Sequence, residues 1–177
     1  MSMAPTEQTL PRQVDPRKFA QKGVALAGII QVADLPRIAD AVTDVDSVVV
    51  VDVVFGTNDE GHKTLSGTAE ATLSVTCQRC LEPTALKLDV ELSLAIVWDE
   101  EHAAKLPKSL DPWITEEGAA DLYHIIEEEL LLELPMVAYH EEACVDQAAF
   151  SSGEEVVEPE PKRNPFQVLE QLMGSPK

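Results

Sequence analysis

A chain of 177 residues with 45% hydrophobic content is long enough to bury one real core, and no apolar run approaches the roughly 18 residues a membrane helix needs. Its formal net charge of −19 works against a broad electrostatic footprint on nucleic acid and favours basic partners. Three cysteines, sparse and odd in number, argue against a disulfide framework and for a reducing cytoplasm, and residues 1–10 lack the apolar stretch of a signal peptide.

Residues 1–23 read as an arm with little regular structure of its own, followed by a single α+β domain over 24–150. Residues 24–30 form a short buried strand. Asp34 is placed to cap a short helix, with Pro36 in its first turn and Leu35, Ile38 and Val42 on one face. Residues 47–55 are apolar on nearly both parities, as expected of a central strand covered on both sides. Asn58-Asp59-Glu60-Gly61 supplies turn chemistry. Strict alternation follows, with Leu65, Gly67, Ala69, Ala71, Leu73 and Val75 on one parity and threonines, serines and Glu70 on the other. It resumes with Leu86, Leu88, Val90, Leu92, Leu94 and Ile96 set against Lys87, Asp89, Glu91 and Ser93. A period of two means half-buried antiparallel strands. Three such strands make an antiparallel meander, with Cys77-Gln78-Arg79-Cys80 in its second connection.

Residues 99–117, acidic and holding Pro107 and Pro112, read as a long surface loop pinned by Trp98 and Trp113. A longer helix spans 119–134 and ends at Pro135, with Leu122, Ile126, Leu130 and Leu134 as its core row. Tyr123, His124, Glu127 and Glu128 define the opposite face, where Leu131 is out of place, and the consecutive Glu127, Glu128 and Glu129 read as solvated. Seven acidic residues and no basic one fall between Glu141 and Glu160, and residues 151–161 form a flexible acidic linker. Beyond it, Asn164 and Pro165 open a short helix with Phe166, Leu169 and Leu172 on one side. So short a helix is unstable alone in water, which makes those three a partner-binding face.

The chemistry-bearing set is Cys77, Cys80, His140 and Cys144. A Cys-x-x-Cys turn converges two thiolates, and His-x-x-x-Cys completes a Cys3His zinc set; the plain alternative is two thiols in a loop with His140 and Cys144 serving packing. A redox pair belongs at a helix N-terminus, whereas strands flank this one and only Arg79 offers local help. Phosphate-loop, nucleophile-elbow, dinucleotide and zincin motifs are all absent. The residues therefore point to a cytoplasmic binding protein with a candidate zinc site. The alternative is a zinc- or thiol-dependent enzyme, either an RNA-processing nuclease or a Cys-x-x-Cys oxidoreductase.

Several spaced motifs carry a family resemblance. They are Cys77-Gln-Arg-Cys80 with Pro83, Asp121-Leu122 leading to Glu127-Glu128-Glu129-Leu130 and Leu134-Pro135, His140 and Cys144, and Asn164-Pro165-Phe166 with Val168-Leu169. In order and spacing the chain resembles the bacterial large ribosomal RNA subunit accumulation protein family, YceD. The resemblance implies a non-enzymatic ribosome-biogenesis factor supporting synthesis, processing or stability of large-subunit (23S) ribosomal RNA. Acidity suggests that it acts through a basic ribosomal protein or processing factor. The rival within that class is direct RNA contact through Arg12, Arg17, Lys18, Lys22 and Arg79.

Overall fold

The period-two pattern builds the longest elements of the molecule. The computed structural model describes residues 8–116 and 118–146. In chain order these hold β1 (Gln13–Val14), α1 (Pro16–Lys22), β2 (Ala25–Gln31), a 3-10 turn (Val32–Asp34), α2 (Pro36–Ala39), β3 (Val48–Thr57), β4 (Lys63–Thr76) and β5 (Pro83–Val97). After β5 come α3 (Glu100–Ala103), β6 (Asp111–Ile114), β7 (Ala120–Asp121) and α4 (Leu122–Glu133). The expected acidic linker and the helix bearing Phe166, Leu169 and Leu172 lie outside the described residues.

One five-stranded sheet runs in the order β2-β3-β4-β5-β6, and β1 pairs with β7 separately. The fold is α+β, as expected, and the meander is real. β2 extends it antiparallel at one edge, and β6 adds a parallel strand at the other. Register aligns the apolar parity of every strand. Val49 faces Ala71, Leu73 faces Leu86, Ala69 faces Val90 and Leu65 faces Leu94. On that face Val49, Val51, Val53, Phe55, Leu65 and Leu94 are buried with Leu122, Ile126 and Leu130 of α4. Phe19 of α1 meets Phe55 edge-on at 5.4 Å.

Five readings change. The segment taken as an irregular arm carries β1 and α1; Asp15 caps α1 by accepting from the Lys18 N–H, and Gly23 ends it in the left-handed region. Residues 8–10 also run beside β2, where Ile29 N–H donates to the Gln8 carbonyl. Only glycine fits at Gly28, because a Cβ there would run into that carbonyl. Second, among the described residues β3 is well buried on one face only. Val48 and Val50 are half-buried and Val54 stays 45% exposed, while α1 packs on the opposite face through Phe19 against buried Phe55. Third, the loop over 99–117 contains α3 and β6, and Pro112 is tolerated because β6 is an edge strand.

The fourth change concerns the short helix. Asp34 sits in the 3-10 turn, and Leu35 at the helix start makes no side-chain cap. The cap comes from far along the chain: buried Glu127 accepts from the N–H groups of Arg37 (2.7 Å) and Ile38 (3.2 Å). Last, the opposite face of α4 is not all wet. Tyr123 is buried and its hydroxyl donates to the Leu10 carbonyl at 2.8 Å. Leu131 packs half-buried against the core, and the exposed leucine is Leu132, at 81%.

Glu127→Ala removes the acceptor of two N–H groups at a packed helix end and is expected to cost about 2–4 kcal/mol. Leu132→Ala should stay within about 0.5 kcal/mol. Urea denaturation of both variants checks the contrast, and equal stabilities would remove Glu127 from its capping role.

Candidate metal centre

β4 and β5 close through residues 77–82, and local hydrogen bonds shape that turn into a knuckle. The Cys77 N–H donates to the Glu82 carbonyl and the Leu81 N–H to the Cys77 carbonyl, each at 2.9 Å. Leu81 stands at φ 64°, the left-handed conformation that a leucine adopts only when its surroundings dictate it. The chain leaving α4 then crosses this turn. The Gln78 N–H donates to the Ala138 carbonyl at 2.9 Å. The Arg79 guanidinium donates to the carbonyls of His140 and Glu142 and lies 5.1 Å from the Tyr139 ring.

These contacts deliver His140 and Cys144 to Cys77 and Cys80, so the four residues proposed from spacing meet in space. One ligand atom from each lies within 4.8 Å of all the others. Cys77 Sγ stands 3.7 Å from Cys144 Sγ, and Cys80 Sγ stands 3.4 Å from His140 Nδ1. Tetrahedral zinc, with Zn–S about 2.3 Å and Zn–N about 2.0–2.1 Å, needs S···S near 3.8 Å and S···N near 3.6 Å. The donor set therefore fits. His140 Nε2 lies 3.1 Å from the Pro83 carbonyl, an acceptor, so the Nε2 proton donates there and Nδ1 keeps its lone pair toward the thiols.

Electrostatics prepares the same set. Burial pushes the Cys77 thiol up, but the backbone N–H groups of Cys80, Arg79 and His140 aimed at it outweigh burial and bring its pKa down to about 5. Burial, and then the neighbouring thiols Cys77 and Cys80, raise Cys144 above its usual value. One thiolate is thus ready at neutral pH, and another loses its proton on binding a cation. Four protein ligands leave no open coordination position, the form of a structural site rather than a catalytic one.

Two of the five cations named for direct RNA contact already hold carboxylates. Arg12 is paired with Asp121 at 2.9 Å and Lys18 with Asp15 at 2.8 Å. Arg79 holds the segment crossing the knuckle, a positioning role for which the sequence carries no signal. Among the described residues no helix is long and apolar enough to cross a membrane.

A family model described as "Large ribosomal RNA subunit accumulation protein YceD" matches residues 65–173, more than half of the chain. The chain belongs to the YceD family. A Haemophilus influenzae protein carrying the same description is 33% identical over 169 residues, spanning 92% of this chain and 95% of its own length. No solved structure matches. The span matched by the YceD model includes all four candidate ligands.

Zinc titration is expected to saturate at one ion per chain. His140→Ala and Cys144→Ser should each weaken binding by more than the ~10–100-fold typical of losing an outer-shell partner. Arg79→Ala should weaken it less while speeding proteolysis within residues 136–144. Unchanged zinc affinity in the ligand variants would separate the cluster from metal binding.

Proposed function

We propose that this protein is a non-enzymatic, cytoplasmic ribosome-biogenesis factor that supports the accumulation of large-subunit ribosomal RNA. The observation that carries this reading is membership of the YceD family, over more than half of the chain by the family model and 92% of it in the Haemophilus influenzae relative. Zinc at Cys77, Cys80, His140 and Cys144 serves as a structural staple that holds the chain after α4 against the hairpin tip. Bound there, it supplies folding free energy and no open coordination site for a reaction.

The main route to ribosomal RNA runs through protein contacts. A chain of net charge −19 meets a basic ribosomal protein or processing factor more readily than a phosphate backbone. The acidic stretch after Glu141 attracts that partner, and the Phe166, Leu169 and Leu172 face docks on it. Salt-sensitive co-purification with a basic large-subunit protein, lost on truncation after Gly153, is the expected behaviour.

The direct test is the ratio of large- to small-subunit ribosomal RNA in cells lacking the gene, rescued with the native protein or with Cys77→Ser/Cys80→Ser. The ratio should fall in the deletion and recover only with the native chain. An unchanged ratio in the deletion would refute the role, and full rescue by the double variant would remove the metal centre from it.

A further inference from the structure

The end of the β4–β5 hairpin away from the knuckle has a chemistry unlike the rest of this acidic chain. β4 begins at Lys63 and β5 ends at Val97, so about 45 Å of strand separates this end from Cys77. Here a cavity of about 360 Å³ opens between α1, the turn before β4 and the segment around α3. That volume falls within the roughly 300–1,000 Å³ range of small-ligand clefts. Its lining includes Arg17, His62, Lys63, Trp98, His102 and Lys105. Three of the chain's 13 lysines and arginines and two of its four histidines thus share one cleft.

The indole gives the cleft its specificity. Trp98 is 45% exposed, whereas the other tryptophan, Trp113, is buried. The Arg17 guanidinium lies 3.2 Å from the centre of the Trp98 ring and also donates to the Thr115 carbonyl at 3.3 Å. With Arg17 stacked on one face of the ring, the indole–guanidinium pair is a platform whose outer flat faces can each stack a base. Carboxylates stand at the rim: Glu101 pairs with Lys105 at 2.9 Å, Asp99 with His102 at 2.7 Å and Glu60 with His62 at 3.7 Å. These three side chains are 79%, 54% and 63% exposed, so such pairs are weak and free to yield to a phosphate. Lys63 makes no ion pair among the described residues.

We propose that this cleft binds one nucleotide of single-stranded RNA, its base on the Trp98–Arg17 platform and its phosphate between Lys63 and Lys105. The net charge forbids a long phosphate track but not a single-nucleotide pocket. The nucleotide chemistry stands on the cleft alone. Only the choice of RNA as its source rests on the function proposed above, and the assay is done with purified full-length protein, apart from any ribosomal RNA phenotype.

Intrinsic fluorescence and the anisotropy of a labelled RNA 12-mer test it, with adenosine monophosphate, inorganic phosphate and oligoglutamate as further probes. The RNA and the mononucleotide should quench the exposed indole, and phosphate and oligoglutamate should not. Affinity for RNA should fall with salt at a log–log slope of about −0.7, as one neutralised phosphate predicts. Lys63→Ala/Lys105→Ala, neither residue being in the core, should lower the affinity at least tenfold and bring that slope close to zero. Trp98→Ala should lower it roughly tenfold. Absence of quenching, an RNA affinity equal in the lysine double variant, or equal binding of oligoglutamate would each overturn the proposal. Quenching by the mononucleotide without measurable RNA binding would overturn the single-strand assignment.

Discussion

The register between β4 and β5 is the constraint on which the rest of this structure depends. Thirteen residue pairs run from Thr64 opposite Ala95 to Thr76 opposite Pro83. Because side chains alternate strictly, a slip of one residue in β4 would turn Leu65 and Leu73 to water and its threonines and Glu70 into the core. The same register fixes the turn that presents Cys77 and Cys80. Core and knuckle are therefore specified together.

The knuckle matters because the chain beyond α4 has little else to hold it. Met136 is fully exposed, and Val137 and Tyr139 are about half exposed, at 51% and 49%. Hydrophobic burial cannot order such a segment. Ala138 accepts one backbone hydrogen bond, Arg79 binds two carbonyls, and His140 and Cys144 reach the thiols. A metal shared by these four side chains would convert several weak attachments into one strong one. It would also fix the point from which the acidic C-terminal stretch departs.

The long strands and the main helix were legible in the sequence because their signals are local and periodic. The candidate ligand set was legible as chemistry, though not as geometry, since nothing in the spacing states that His140 returns to Cys80. What escaped was non-local. Glu127 read as solvated because its neighbours are carboxylates, yet the fold brings the open N-terminus of α2 to it. Tyr123 likewise found its partner only when residues 8–10 settled beside β2. β6 is short, contains a proline and pairs parallel, so it carries no alternation to recognise. The valines of β3 suggested two-sided burial, but among the described residues only one parity of that strand is well buried.

The central claim is that the hairpin tip and the chain after α4 are joined through one Cys3His metal site. Zinc K-edge X-ray absorption on the zinc-loaded full-length protein tests it most directly. The account predicts three sulfurs at about 2.3 Å and one nitrogen at about 2.0–2.1 Å. A shell of two sulfurs completed by oxygens would mean that Cys77 and Cys80 bind without Cys144, and the joint between the two segments would not exist as described.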